Sequence, residues 1–137
     1  MDNRSKGLLR IRPEIPDALV YDTMSSDEYF QNATLRPVIK LQRELLVEAF
    51  RNYANKHKGV FYTLNTEKKL HYIENAIQKD IKFRNSLKGM IIGQFTVAEY
   101  AEYIRNSSTL NKRMMNTVIE TVKDCLQLLE ADVECSV

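Results

Sequence analysis

The sequence predicts an all-α fold, an irregular antiparallel helical bundle of three long and two short helices with an extended N-terminal arm. Three observations predict it. Apolar residues recur at three- and four-residue steps over long stretches. Capping-box patterns stand ahead of two such stretches. Four glycines and three prolines in 137 residues leave little of the punctuation that a strand-and-turn architecture needs. A hydrophobic fraction of 44% and a charged fraction of 28% suit one globular domain, and a net charge of +2 is too small for a disordered chain. The organisation expected is an extended arm over 1–24, a helical domain over 25–130 and an acidic tail over 131–137.

Each element is argued in turn. Pro13, Pro16 and the absence of a sustained period make residues 1–24 an arm. Ser25 followed by Glu28 is a capping box, and the short helix after it carries Tyr29, Phe30 and Ala33. Thr34 is placed to cap a long helix with Pro37 in its first turn, where no intrahelical N–H is required. Its stripe runs Leu35, Val38, Ile39, Leu45, Leu46, Ala49, Phe50 and Tyr53, and His57-Lys58-Gly59 ends it.

Val60-Phe61-Tyr62 forms an apolar link. Asn65 or Thr66 caps the next helix, with Leu70, Ile73, Ala76, Ile77 and Ile81 inward, a bend near Asp80 and an end at Gly89 or Gly93. Thr96 and Glu99 form a second capping box, and Phe95 and Tyr100 the two ends of a hydrophobic staple. Ser107 or Ser108 caps the last helix, whose inward positions are Leu110, Met114, Val118, Val122, Cys125 and Leu129.

Charge is uneven. Residues 79–113 carry net +4 and residues 114–137 net −4, which suggests pairing within the chain, between copies, or with an anionic partner. No apolar run is long enough for a membrane span, and two cysteines, Cys125 and Cys135, are too few for a disulfide framework. A reducing cytoplasm is the expected compartment.

Four constellations bear on chemistry. Glu67, His71 and Glu74 share one helix face, as metal ligands would, but Lys68 and Lys69 alternate with them as on a solvated face. Gly89 and Gly93 lack the third glycine and preceding strand of a phosphate loop, and no nucleophile motif is present. Residues 96–115 are similar in outline to the helix-turn-helix of arabinose-regulator-type transcription factors. That similarity implies Ala101 and Ile104 inside, with Arg105, Lys112 and Arg113 toward nucleic acid; Asn106 departs from it where the turn buries an apolar residue. Finally, Arg36 and Lys40 on one helix and Arg84 and Lys88 on another, with Asn85 and Gln94 nearby, would converge on a carboxylate or phosphate if the helices pack side by side.

Three stretches carry a resemblance: Phe30-Gln31-Asn32 with Thr34 through Gln42, Tyr72 through Asp80, and Phe83 through Thr96. Together they resemble a group of small, uncharacterised bacterial proteins that sometimes carry the label glyoxalase. The label implies a metal-dependent lyase built on paired βαβββ modules with His and Glu or Gln ligands. With no strand predicted and only His57 and His71 available, no ligand position carries over onto this sequence.

The reading that follows is a non-enzymatic helical binding domain, homodimeric, without a cofactor, that holds an anionic ligand at Arg36, Lys40, Arg84 and Lys88. A nucleic-acid-binding protein and a glyoxalase-like lyase are the alternatives.

Overall fold

The computed structural model describes residues 2–16, 20–21 and 23–135, the side chains as far as Glu130. Every regular element among them is helical, and none is a strand. The expected acidic tail lies outside the described side chains.

The first helix, α1, spans Asn3–Ile11, where the sequence predicts an extended arm. Asp2 starts it by accepting the Ser5 N–H at 2.6 Å. Its helicity escapes an apolar-period test because it docks through arginines. Arg4 donates to the carbonyls of Phe95 at 2.8 Å and Gly93 at 2.9 Å. Arg12, just past the helix end, grips Glu99 through both nitrogens, at 2.5 and 2.6 Å, and reaches the Gln94 carbonyl at 2.8 Å. Arg12 is 6% exposed and Glu99 17%, so a largely dry bidentate ion pair holds the arm down.

Ser25 caps α2, Ser26–Phe30, as predicted. The chain then continues through one π-helical turn, Gln31–Leu35, straight into α3, Arg36–Leu41. Thr34 is therefore no cap; it is buried, and its hydroxyl donates to Glu99 at 3.0 Å. Pro37 sits in the first turn of α3 as expected. The stripe predicted as one long helix breaks at Gln42, whose amide donates to the Met90 carbonyl at 2.9 Å, and resumes as α4, Arg43–Lys56. Leu45, expected inward, faces out at 49% exposure, and Leu46 and Val47 take the buried positions of that turn. Gly59, in the left-handed region at φ +66, closes α4 where the sequence places its end.

A 3₁₀ turn over Val60–Thr63 buries Phe61 completely. Asn65 caps α5, Thr66–Lys79, by accepting the Lys68 N–H. At Asp80 the backbone goes extended, so the expected bend is a break, and α6, Ile81–Ile92, starts afresh with Ile81 turned to solvent. Both halves of the Thr96–Glu99 capping box are made at the start of α7, Val97–Tyr103. The staple is not: Phe95 packs against Phe30 and Tyr103, and Tyr100 is half-exposed. Ahead of α8, Ser107–Asp124, stands Asn106, which makes no cap hydrogen bond and instead donates to Asp27. A turn at Cys125 separates α8 from α9, Leu126–Cys135.

Helix α8 is the centre, packed against α3, α4, α5, α6 and α9. It buries Leu110, Met114, Met115, Val118, Ile119 and Val122. Beside it lies an aromatic cluster around Phe50, whose ring meets Phe61 at 5.0 Å and Tyr72 at 6.1 Å in edge-to-face contacts. That cluster is the floor of the site described next. No helix among the described residues is long and apolar enough to cross a membrane.

Candidate functional site

Three chain segments meet at the open end of the aromatic cluster. Tyr53, in the last turn of α4, and His57, the residue that caps its C-terminal end, lie four residues apart on one side of the helix end. Asp80 stands in the break between α5 and α6, and Phe83 follows on α6. The three rings stack: His57 on Tyr53 at 4.1 Å and 22°, and Tyr53 on Phe83 at 4.2 Å and 23°. Both faces of Tyr53 are thereby covered, and His57, itself exposed, is the open end of the stack.

Hydrogen bonds lock the geometry. The Tyr53 hydroxyl donates to one Asp80 carboxylate oxygen at 3.0 Å, and the other oxygen accepts the Phe83 N–H at 3.2 Å. The Nδ1 of His57 lies 3.0 Å from the Tyr53 carbonyl, which can only accept, so Nδ1 is the donor in that contact.

These contacts set the titration of the site. Burial, reinforced by the Asp80 hydrogen bond and charge, pushes the Tyr53 hydroxyl up to about 12. The Phe83 N–H and then the Tyr53 hydroxyl hold the Asp80 carboxyl below its ordinary value. A phenol that ionises so late is a poor base, and a carboxylate kept ionised and doubly bonded is a poor acid.

Two cavities flank the Tyr53–Asp80 bond and share Tyr53, His57 and Asp80 as their common wall. One, of about 420 Å³ between α4 and α6, adds Asn52, Lys56, Lys82 and Ser86. The other, of about 480 Å³ toward α5, adds Tyr72, Asn75 and Lys79. Lys56, Lys79 and Lys82 make no ion pair or hydrogen bond among the described residues. Three lysines with no partner among the described residues, two on one cavity and one on the other, outnumber the single carboxylate of the lining.

The residues singled out from sequence fall elsewhere. Arg36 and Lys40 do line one cavity, of about 350 Å³, but Arg43, Glu120 and Asp124 line it with them. Neither Arg84 nor Lys88 does, and neither Asn85 nor Gln94 joins them. Arg84 instead reaches the Gln78 carbonyl, and the Gln94 carbonyl belongs to Arg12.

On the helix-turn-helix segment, Ala101 and Ile104 are exposed rather than inside, because α7 ends at Tyr103 and that ring takes the inward position, its hydroxyl bonded to Asn111. Arg105 pairs with Glu102, Lys112 is exposed, and Arg113 donates to Gln31 at 2.6 Å. Glu67 and His71 are exposed on α5, whereas Glu74 leans to Lys123. Among the described residues no three His, Cys, Asp or Glu side chains are grouped to hold a metal ion.

A further cavity between α2 and α7, of about 520 Å³, is mostly apolar. Glu99, which lines it, is already saturated by Arg12, Thr34 and the Thr96 N–H. The Tyr53 cleft differs in having charge left over. Sequence reasoning passed over it because Tyr53 and Asp80 lie 27 residues apart; the one legible clue was the Tyr53–His57 spacing beside a cation-rich helix end.

Compared with known protein families, curated proteins and solved structures, the chain matches none.

Proposed function

We propose that this chain is a non-catalytic binding domain for a small organic anion, held in the cleft formed by Tyr53, His57 and Asp80. The observation that carries the reading is the set of free ammonium groups at Lys56, Lys79 and Lys82 around a rigid aromatic wall. Surface lysines are usually scattered or paired with acids. Here two cavities share one wall, and each has lysine on its rim.

The reading keeps the anion anticipated from sequence and moves it from Arg36, Lys40, Arg84 and Lys88 to the far end of α4. Proton-transfer chemistry is disfavoured by the same hydrogen bonds that make the wall rigid. Calorimetric titration with pyrophosphate tests the reading directly. Binding should weaken about tenfold in the Lys56→Ala/Lys82→Ala double variant and should fall with added salt. Equal affinity in the double variant sinks the proposal.

A further inference from the structure

Resting on that reading, we infer that the anion is a nucleotide, with its base laid on the outer face of His57 and its phosphate among the lysines. The inference comes from what the cleft offers besides charge. A three-ring stack, Phe83, Tyr53 and His57, ends in an exposed imidazole. Its orientation is fixed from behind by the Tyr53 ring at 4.1 Å and through Nδ1 by the Tyr53 carbonyl at 3.0 Å. A held ring with one open face is a platform that a flat heterocycle extends, and every nucleobase has such a face.

Beside the platform stand two amides. Asn52 lines one cavity and Asn75 the other, and neither side chain hydrogen-bonds to any described residue. An asparagine amide offers a donor and an acceptor side by side, the pairing that an adenine edge accepts and donates in return. Inorganic phosphate has no use for a platform or an amide acceptor, and an aliphatic carboxylate none for the platform. The phosphate then falls to Lys56 and Lys82, on the rim of one cavity with the Ser86 hydroxyl, as mobile point charges suited to an oxyanion. Lys79, across the shared wall, is free for the phosphate of a neighbouring nucleotide if the ligand is a strand.

The experiment titrates the full chain by nuclear magnetic resonance and calorimetry with AMP, ribose 5-phosphate, inorganic phosphate and a six-residue oligoadenylate. AMP should bind at least tenfold more tightly than ribose 5-phosphate, and its base protons should move upfield under the imidazole ring current. The exposed His57→Ala variant should keep the fold by circular dichroism and lose that margin, leaving AMP and ribose 5-phosphate equal. An oligoadenylate that binds more tightly than AMP and responds to Lys79→Ala identifies a strand as the source; equal affinity, indifferent to Lys79→Ala, identifies the free nucleotide. If wild-type protein binds ribose 5-phosphate as well as AMP, the nucleotide inference is overturned and anion binding stands. If no phosphate compound binds, both fall together.

Discussion

At the corner where α1 meets α7, Arg12 and Glu99 are largely sealed by contacts to each other, to Thr34 and to backbone groups. The exposed Arg4 donates to backbone carbonyls beside them. At the cleft where α4 meets α5 and α6, three lysines line the two cavities that share Asp80 and touch none of the described acids. The first region has its charge nearly out of water, with Arg12 at 6% exposure, and fills both Glu99 oxygens from three partners. The second fills its Asp80 oxygens with a phenol and a backbone N–H, and leaves its cations to solvent. Paired buried charge fixes a structure, since removing one partner strands the other. Unpaired rim charge contributes little to stability and is available to a ligand. Stability should therefore reside in the corner and in the floor of the cleft, and binding in its rim.

The largest effect is expected at the floor. Phe50 is fully buried and its ring meets those of Tyr53, Phe61, Tyr72 and Phe83. Phe50→Ala should cost about 3–5 kcal/mol, transfer and cavity together, measured by urea unfolding. It should also erase ligand binding, because the stack loses its support. A loss under about 1 kcal/mol would mean that the aromatic cluster is not the tightly packed floor argued above.

The corner comes next. Burial pushes the Glu99 carboxyl upward, but the Arg12 guanidinium, the Thr96 N–H and the Thr34 hydroxyl outweigh it and hold it below its ordinary value. A carboxyl lowered in the folded state stabilises above its unfolded value, about 4.3 for Glu, and that contribution fades as pH falls through the folded value. Thermal melts of the wild type should lose stability below about pH 4.3, and Glu99→Gln should flatten that limb. At neutral pH the same variant should cost roughly 2 kcal/mol, less than the 3–5 of a fully enclosed pair, because the arm can lift and let Arg12 reach water. Matching acid limbs in the two proteins would remove Glu99 from the account.

How much of this contrast was legible beforehand depends on sequence separation. The Thr96–Glu99 capping box is a four-residue pattern legible in the sequence, and both its halves are made. The further role of Glu99 as the partner of Arg12 lies 87 residues away, where no local pattern reaches. The helix breaks at Gln42 and Cys125 are not legible for a related reason. The apolar stripe continues across both, and at Gln42 the side-chain amide is engaged with the distant Met90 carbonyl, which no local pattern shows. At Asp80, where a bend is expected, the break is local, the Asp80 carboxylate capping α6. Helix α1 escaped because an arginine-docked helix buries almost no apolar surface; Ser5 is its one buried residue. The basic constellation of Arg36, Lys40, Arg84 and Lys88 assumed that two helices pack side by side. Helix positions four apart can be read from sequence, but neighbouring helices cannot.

Between floor and rim stands Tyr53. Tyr53→Phe keeps the ring stack and removes the hydroxyl, leaving Asp80 with its Phe83 N–H alone, so a loss of about 1 kcal/mol is expected. The hydroxyl titrates in the opposite sense to Glu99. Its folded value is raised to about 12, so its contribution is whole below the unfolded value near 10 and is lost as pH rises through the folded one. Tyrosinate absorbance during an alkaline titration should lose its latest-ionising component in the variant. Loss of an ordinary component at about pH 10 instead would place the Tyr53 hydroxyl in water rather than on Asp80.

The smallest stability effect carries the most functional weight. Lys56→Ala, Lys79→Ala and Lys82→Ala each remove a charge with no described partner, so unfolding free energies should stay within about 0.5 kcal/mol of wild type. Relief of mutual repulsion among the three could even raise them slightly. A truncated Arg12 should behave in the opposite way, costing stability without touching anion affinity. The comparison rests on that crossing. If the lysine variants unfold as readily as the Arg12 variant, their charges are paired in solution, and the cleft loses the surplus that distinguishes it from the corner. If they stay stable while pyrophosphate affinity falls, charge that folding does not use is the mark of the binding site in this fold.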